Sequence, residues 1–123
     1  MSALLESARA LAPELKALKD DLHRHPELSF QEGRTTRQIR AYLAPLGVEL
    51  VDLGMDTGLV GVLTGARPGP CAALRADIDA IAQQEWAGNP VVSQTPGVMH
   101  GCGHDLHTAC LCGAARLLAG RRA

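Results

Sequence analysis

Aromatic side chains are almost absent from this chain: Phe30, Tyr42 and Trp86 are the whole set, 2% of 123 residues. Any core must therefore be aliphatic. The 46% hydrophobic content is enough for a packed interior in one small domain and excludes wholesale disorder. An excess of one charge is also missing. Twelve basic and 13 acidic residues are intermixed for a net charge of −1, and no basic face is available to displace counterions from phosphates. No nucleic-acid partner is expected. No apolar run approaches the length that crosses a bilayer, so no membrane partner is expected either. Met1-Ser-Ala-Leu-Leu-Glu places an acid where a signal peptide would carry its apolar stretch, which points to a cytoplasmic protein. Cysteines number only four. Cys110 and Cys112 lie two apart on an expected helix and point in different directions, which argues against a disulfide between them. Cys71 reads as a small apolar residue of a buried strand.

What is present is a helical pattern followed by a strand pattern. Leu4, Ala8, Leu11, Leu15, Leu18 and Leu22 repeat by steps of four and three, one face of an amphipathic helix. Pro13 is expected to break it and open a second helical piece, and Pro26 to end it at His25. Ser29 and Glu32 have capping-box spacing for a second helix, which buries Ile39, Leu43 and Leu46 and stops at Gly47. Val48–Val51, Leu59–Thr64 and Cys71–Ala76 are β-prone, and the short link between the second and third runs suggests that they form an antiparallel pair. Residues 83–99 are irregular. A last helix is expected over Leu106–Ala119, capped by Asp105, stopped by Gly120, and apolar along Leu106, Cys110, Ala114, Leu117 and Leu118. Cys110 and Cys112 are read as packing residues of this helix. The order implies an α/β layer arrangement, a mixed sheet covered by helices. Three strands make a thin sheet with open apolar edges, so the chain reads as part of something larger.

The densest polar cluster is Met99-His-Gly-Cys-Gly-His-Asp-Leu-His107. Only Gly103 separates Cys102 from His104, and glycine lets the backbone turn tightly enough for a thiolate and an imidazole to reach one ion. Asp105 is placed to receive the second ring N–H of a histidine and so choose the nitrogen that faces a metal. The helix that follows favours Cys102 as thiolate. Two other readings stay open at this point: a polar glycine loop with exposed histidines, and a catalytic cysteine–histidine pair. A second feature is Arg75-Ala-Asp-Ile-Asp79, where extended backbone puts Asp77 and Asp79 on one face. Solvated acids at a strand end are the plainer account. In Leu22-His-Arg-His-Pro-Glu-Leu28, His23 and His25 sit where a helix dipole favours a positive imidazole, a structural role.

Taken together, LHRHPELSFQE (Leu22–Glu32), ALRADIDA (Ala73–Ala80) and MHGCGHDLHTA (Met99–Ala109) resemble the M20 peptidase family, and most closely its amidohydrolase branch of hippurate hydrolases, N-acyl-amino-acid amidohydrolases and auxin-conjugate hydrolases. The resemblance implies that residues 1–123 are the N-terminal part of a zinc-peptidase-like catalytic domain, cut before its remaining strands and its lid domain. It implies Cys102 and His104 as metal ligands and Asp77 as catalytic. Asp79, His100, Asp105 and His107 are implied as neighbours outside the ligand set. Two divalent ions are implied, manganese or zinc, with nickel or cobalt as alternatives, which bind a water and polarise an amide carbonyl of an N-acyl amino acid. The full-length form is expected to be a homodimer. The family's general-base glutamate and remaining histidine ligands lie downstream of the last residue, so the chain alone is expected to be inactive. A non-catalytic fragment that uses Cys102 and His104 to bind metal or a partner is the alternative, and a thiol enzyme built on Cys102 a further one. Two departures stand out: Ile81-Ala82 follows DIDA where the family has Leu-Pro, and Gly101 stands where alanine is common.

Overall fold

A computed structural model of the chain describes residues 2–122. Helix α1 spans Ala3–Arg24, and Ser2 caps it by accepting the Leu5 N–H. It is a single 22-residue helix that runs through Pro13, where two pieces were expected. Proline removes one N–H and crowds the preceding turn. Here it sits exposed on a helix rich in Ala, Leu, Glu and Lys, whose propensity carries the segment through. The leucine face is buried in a gradient, from half-exposed Leu4 to fully buried Leu22.

Helix α2 spans Gly33–Leu43, and a 3₁₀ turn over Ala44–Leu46 leads to Gly47, whose left-handed φ of 68° ends the element as expected. The expected Ser29 cap is not formed. Glu32 occupies the cap position without a side-chain bond, and the free N–H groups of Arg34 and Thr35 instead donate to the Glu27 carboxylate at 3.0 and 2.6 Å. The acceptor that satisfies the helix start thus arrives from well upstream of α2, beyond the reach of a local capping pattern.

Strands β1 (Glu49–Val51) and β2 (Val60–Val62) form an antiparallel pair in the register Glu49↔Val62, Val51↔Val60. The sheet was expected to be larger and mixed, with the second and third runs paired. Among the described residues it has two strands, the first run takes the place of the third, and Cys71–Ala76 is without ladder bonds and mostly exposed. A strand exists through its neighbours, and the β-prone composition of this run has none to pair with. Cys71 is accordingly exposed rather than buried.

Helix α3 spans His104–Ala119, with Gly103 rather than Asp105 at its N-cap and Gly120 at its end. Its buried side is Asp105, Thr108, Ala109, Cys112 and Gly113, not the face expected from the leucines. Leu106, Cys110 and Leu118 are exposed. Small residues face α1 because the helices approach closely: a Cβ on Gly113 would lie 2.5 Å from Leu15 Cδ1. Ile39, Leu43 and Cys112 form the core, with Leu18, Tyr42, Val48, Leu59 and Ile78 packed around it. All four cysteines are free. Glu14 joins the three helices by accepting bonds from Tyr42 Oη and Arg116 Nη1. Burial, and then this carboxylate, push the Tyr42 hydroxyl up to about 12. No helix among the described residues is long and apolar enough to cross a membrane.

Loss of the Glu27 carboxylate leaves two N–H groups at the start of α2 without an acceptor. Glu27→Ala is expected to destabilise the chain by about 1–2 kcal/mol in denaturant unfolding, with Glu27→Gln milder because it keeps one carbonyl acceptor.

Candidate metal centre

Three backbone pairings bring the sequence motifs together. Ala80 N–H donates to Glu27 C=O at 2.8 Å, and Ile81 and Met99 exchange bonds of 2.9 and 3.0 Å. Leu28–Ala80 and Ile81–Met99 are short bridges, parallel and antiparallel. Residues 27–28, 79–81 and 99–100 thereby become neighbours despite lying up to 73 positions apart in the chain, the difference between residues 27 and 100.

On this frame Asp79 reaches both sides. One carboxylate oxygen accepts from Ser29 Oγ at 2.6 Å, and the other lies 2.9 Å from His104 Nδ1. The Asp79 carbonyl lies 2.9 Å from the same ring nitrogen. Two acceptors facing Nδ1 require it to carry hydrogen, which leaves the lone pair of the neutral ring on Nε2. The bond from Ser29 first, and that from His104, hold the Asp79 carboxyl below its ordinary value of 3.8 against the opposing effect of burial. The carboxylate that faces His104 Nδ1 is thus that of Asp79, where Asp105 was expected to receive a histidine of this motif. Asp105 receives a different imidazole: its Oδ2 lies 2.7 Å from His23 Nδ1.

Cys102 is exposed and sits two residues before the start of α3. Gly103 between it and His104 has a φ of 76°, a left-handed conformation that a side chain resists. Asp77 does not stand beside Asp79 with a shared partner. Its carboxylate is about half exposed and pairs with Arg75, while its carbonyl accepts from Thr108 Oγ1 at 3.2 Å. His107 is exposed, its ring centroid 6.0 Å from that of His104. His100 is buried with neither ring nitrogen bonded, and burial pushes its imidazole down, with nearby Asp105 pulling the other way.

Two features had no signal in the local sequence. Glu85, in the irregular stretch, is a buried carboxylate that faces His23 Nε2 at 2.8 Å, accepts from Asn89 Nδ2 at 3.0 Å and takes the Ser93 N–H. His23, read as a helix-end histidine, lies between two buried carboxylates. The departures at Ile81 and Gly101 also touch: a Cβ on Gly101 would lie 2.7 Å from Ile81 Cδ1. The missing side chain at one position makes room for the other.

The family model described as Peptidase family M20/M25/M40 matches residues 73–123. Over 116 residues the chain is 46% identical to the N-acetylcysteine deacetylase of Bacillus subtilis, covering 94% of this chain and 30% of that protein. It is 40% identical to the N-acyl-L-amino acid amidohydrolase of Geobacillus stearothermophilus, over 91% of this chain and 31% of the relative. The crystal structure of the Bacillus subtilis YXEP protein, described as a dinuclear metal-binding peptidase from the M20 family, superposes with a TM-score of 0.88 at 45% identity. That match covers 93% of this chain and 32% of the other.

The chain is similar to M20 proteins over nearly its whole length, and to the M20 family model over residues 73–123. It spans about a third of the length of these three relatives. The M20 relationship implies metal, and the chain's own residues allow a test of fit. A thiol and an imidazole separated by one left-handed glycine are suitable donors, and the imidazole is already turned with Nε2 unbonded. The donor set fits in kind and, at His104, in orientation. Among the described residues no group of three or more His, Cys, Asp or Glu side chains is disposed to hold one ion. Cys102 and His104 are thus two candidate donors, fewer than the three or four protein ligands that a zinc site ordinarily has.

Glu85 makes acid stability a direct readout of the buried cluster. Burial raises its carboxyl, but the bonds from His23, the Ser93 N–H and Asn89 together hold it below its ordinary value of 4.5. A depressed folded value gives stability that is fully present above pH 4.5 and lost as pH falls through the folded value. Glu85→Gln is expected to be less stable than the wild type at pH 7. The two acid-unfolding curves should converge as pH falls below 4.5 and through the folded value.

Proposed function

We propose that this chain carries the first ligands of a two-metal amidohydrolase that cleaves N-acyl amino acids into a carboxylic acid and a free amino acid. Cys102 and His104 are the metal ligands, Asp79 orients His104, and Asp77 is the catalytic carboxylate. The observation that carries the reading is the Ser29–Asp79–His104 chain, which fixes the ring with Nε2 available next to an exposed cysteine. When bound, a pair of divalent ions supplies an activated water and polarises the amide carbonyl. The protein's part is to hold the donors still: Asp79 fixes the ring, Gly103 sets the turn, and α3 places its N-terminal dipole beside the thiol. Asp77, exposed and paired with the long side chain of Arg75, is free to re-aim its carboxylate. The names of the relatives, deacetylase of N-acetylcysteine and amidohydrolase of N-acyl-L-amino acids, support the substrate class. The soft thiolate leans toward zinc among the candidate metals, with manganese, nickel and cobalt as the alternatives. A homodimer in the cytoplasm belongs to the same proposal.

The shortage of donors favours a second reading, in which Cys102 and His104 hold a metal whose remaining ligands come from another chain. Under either reading the 123 residues alone bind metal but do not turn over substrate. Cobalt(II) added to the purified chain is expected to produce a thiolate-to-cobalt charge-transfer band that Cys102→Ser abolishes, with no hydrolysis of N-acetyl amino acids. Absence of the band would remove both metal readings. Hydrolysis by the isolated chain, lost on Cys102→Ser, would show that no further ligands are needed.

A further inference from the structure

Behind the Cys102–Gly103–His104 turn lies a polar cluster that the metal reading leaves unused. His23, at the end of α1, has Asp105 Oδ2 2.7 Å from Nδ1 and Glu85 Oε1 2.8 Å from Nε2. The side chains of His23, Asp105 and Glu85 are 12, 2 and 3% exposed. Both ring nitrogens face a carboxyl oxygen, so one imidazole bridges the two acids. Lys19 Nζ lies 3.9 Å from Asp105 Oδ2, a positive charge beside that acid. Buried carboxylates are tolerated only with such partners.

The position of this cluster is what gives it a consequence. Asp105 follows His104 directly, and Gly103, the N-cap of α3, contributes no side-chain bond to hold the helix start. The start of α3 is therefore held by two side chains, His104 against Asp79 and Asp105 against His23. Glu85 gathers Asn89 and the Ser93 N–H, so the other side of the cluster organises the irregular loop. His100, on the same Met99–Gly103 segment, is buried with its ring centroid 6.4 Å from that of His23. The turn is thus tied to α1 at its C-terminal end, through Asp105 and His23.

We propose that His23 is a positioning residue for the metal-binding turn: by tying Asp105 to Glu85 it sets where Cys102 and His104 present their donors. This rests on the metal reading above and adds a residue that touches neither ligand.

The test uses the 123-residue chain, cobalt(II) as the probe, and three readouts: the charge-transfer band, the cobalt dissociation constant and far-ultraviolet circular dichroism. His23→Gln is expected to keep its helices while cobalt affinity falls by about 10-fold and the band shifts or weakens, the scale of losing a partner behind a metal ligand. The double variant His23→Gln/Glu85→Gln restores a neutral bridge. The new amide at position 23 donates to Asp105 and accepts from the new amide at position 85, and affinity should recover toward the wild type. A folded His23→Gln chain with wild-type affinity and band would overturn the proposal. So would a folded double variant that binds no better than the single one. If the single variant loses its helices, the double variant decides by the same criterion. A wild-type chain with no band that depends on Cys102 would instead bring down the metal reading itself, and the positioning role with it.

Discussion

The arrangement depends on one carboxylate. Asp79 sits where three distant segments meet, and its two oxygens join Ser29, from the loop before α2, to His104, at the start of α3. Neither bond is strong alone, since a net hydrogen bond contributes about 0.5–1.5 kcal/mol. Their value lies in direction. The ring of His104 meets two acceptors on the same nitrogen, and in the neutral ring its other nitrogen keeps the lone pair. Asp79 is in turn held by the backbone: the next residue, Ala80, is bonded to Glu27, and Ile81 is paired with Met99.

Glu27 shows how closely support and site are joined. Its carbonyl receives Ala80 and its carboxylate closes the N-terminus of α2, so one residue fixes both the frame and the helix packed beside it. The His23 cluster does the same behind α3. The two carboxylates of the Arg75–Asp79 motif are divided by this logic. Asp79 is turned inward and bonded, whereas Asp77 remains at the surface with Arg75.

The local rules of the chain were legible where neighbours in sequence are also neighbours in space. Three helices, the glycine stops at Gly47 and Gly120, the β1 and β2 runs and the Cys102–His104 turn follow from spacing and composition. The failures have a common cause. Ser29 looked like a cap because Glu32 lies three residues on, but its hydroxyl is taken by Asp79, 50 residues away. The face of α3 was misread because leucines outweigh glycine and alanine in any periodicity, whereas close approach to α1 selects the small residues. Cys71–Ala76 has strand composition without a partner to pair with. Glu85 stands in a stretch with no period, and only the folded chain reveals it as the acceptor of three bonds.

The exposed apolar side chains follow the same division. Leu106 and Leu118 on α3, Val60 and Val62 on β2 and Leu74 in the unpaired run are all outward-facing. His23, His104, Asp79, Glu85 and Asp105 are, by contrast, joined by side-chain bonds. Among them Asp79 faces His104 Nδ1, which in the neutral ring puts the hydrogen on Nδ1 and the lone pair on Nε2. Long-range ¹H–¹⁵N correlation of the histidine-labelled chain, without metal and at a pH where the ring is neutral, reads this directly. His104 is expected to show a pyrrole-like Nδ1 and a pyridine-like Nε2, and Asp79→Ala to release the ring to a mixture of tautomers. A wild-type ring already in the Nε2–H form, or averaged between the two, would contradict that arrangement.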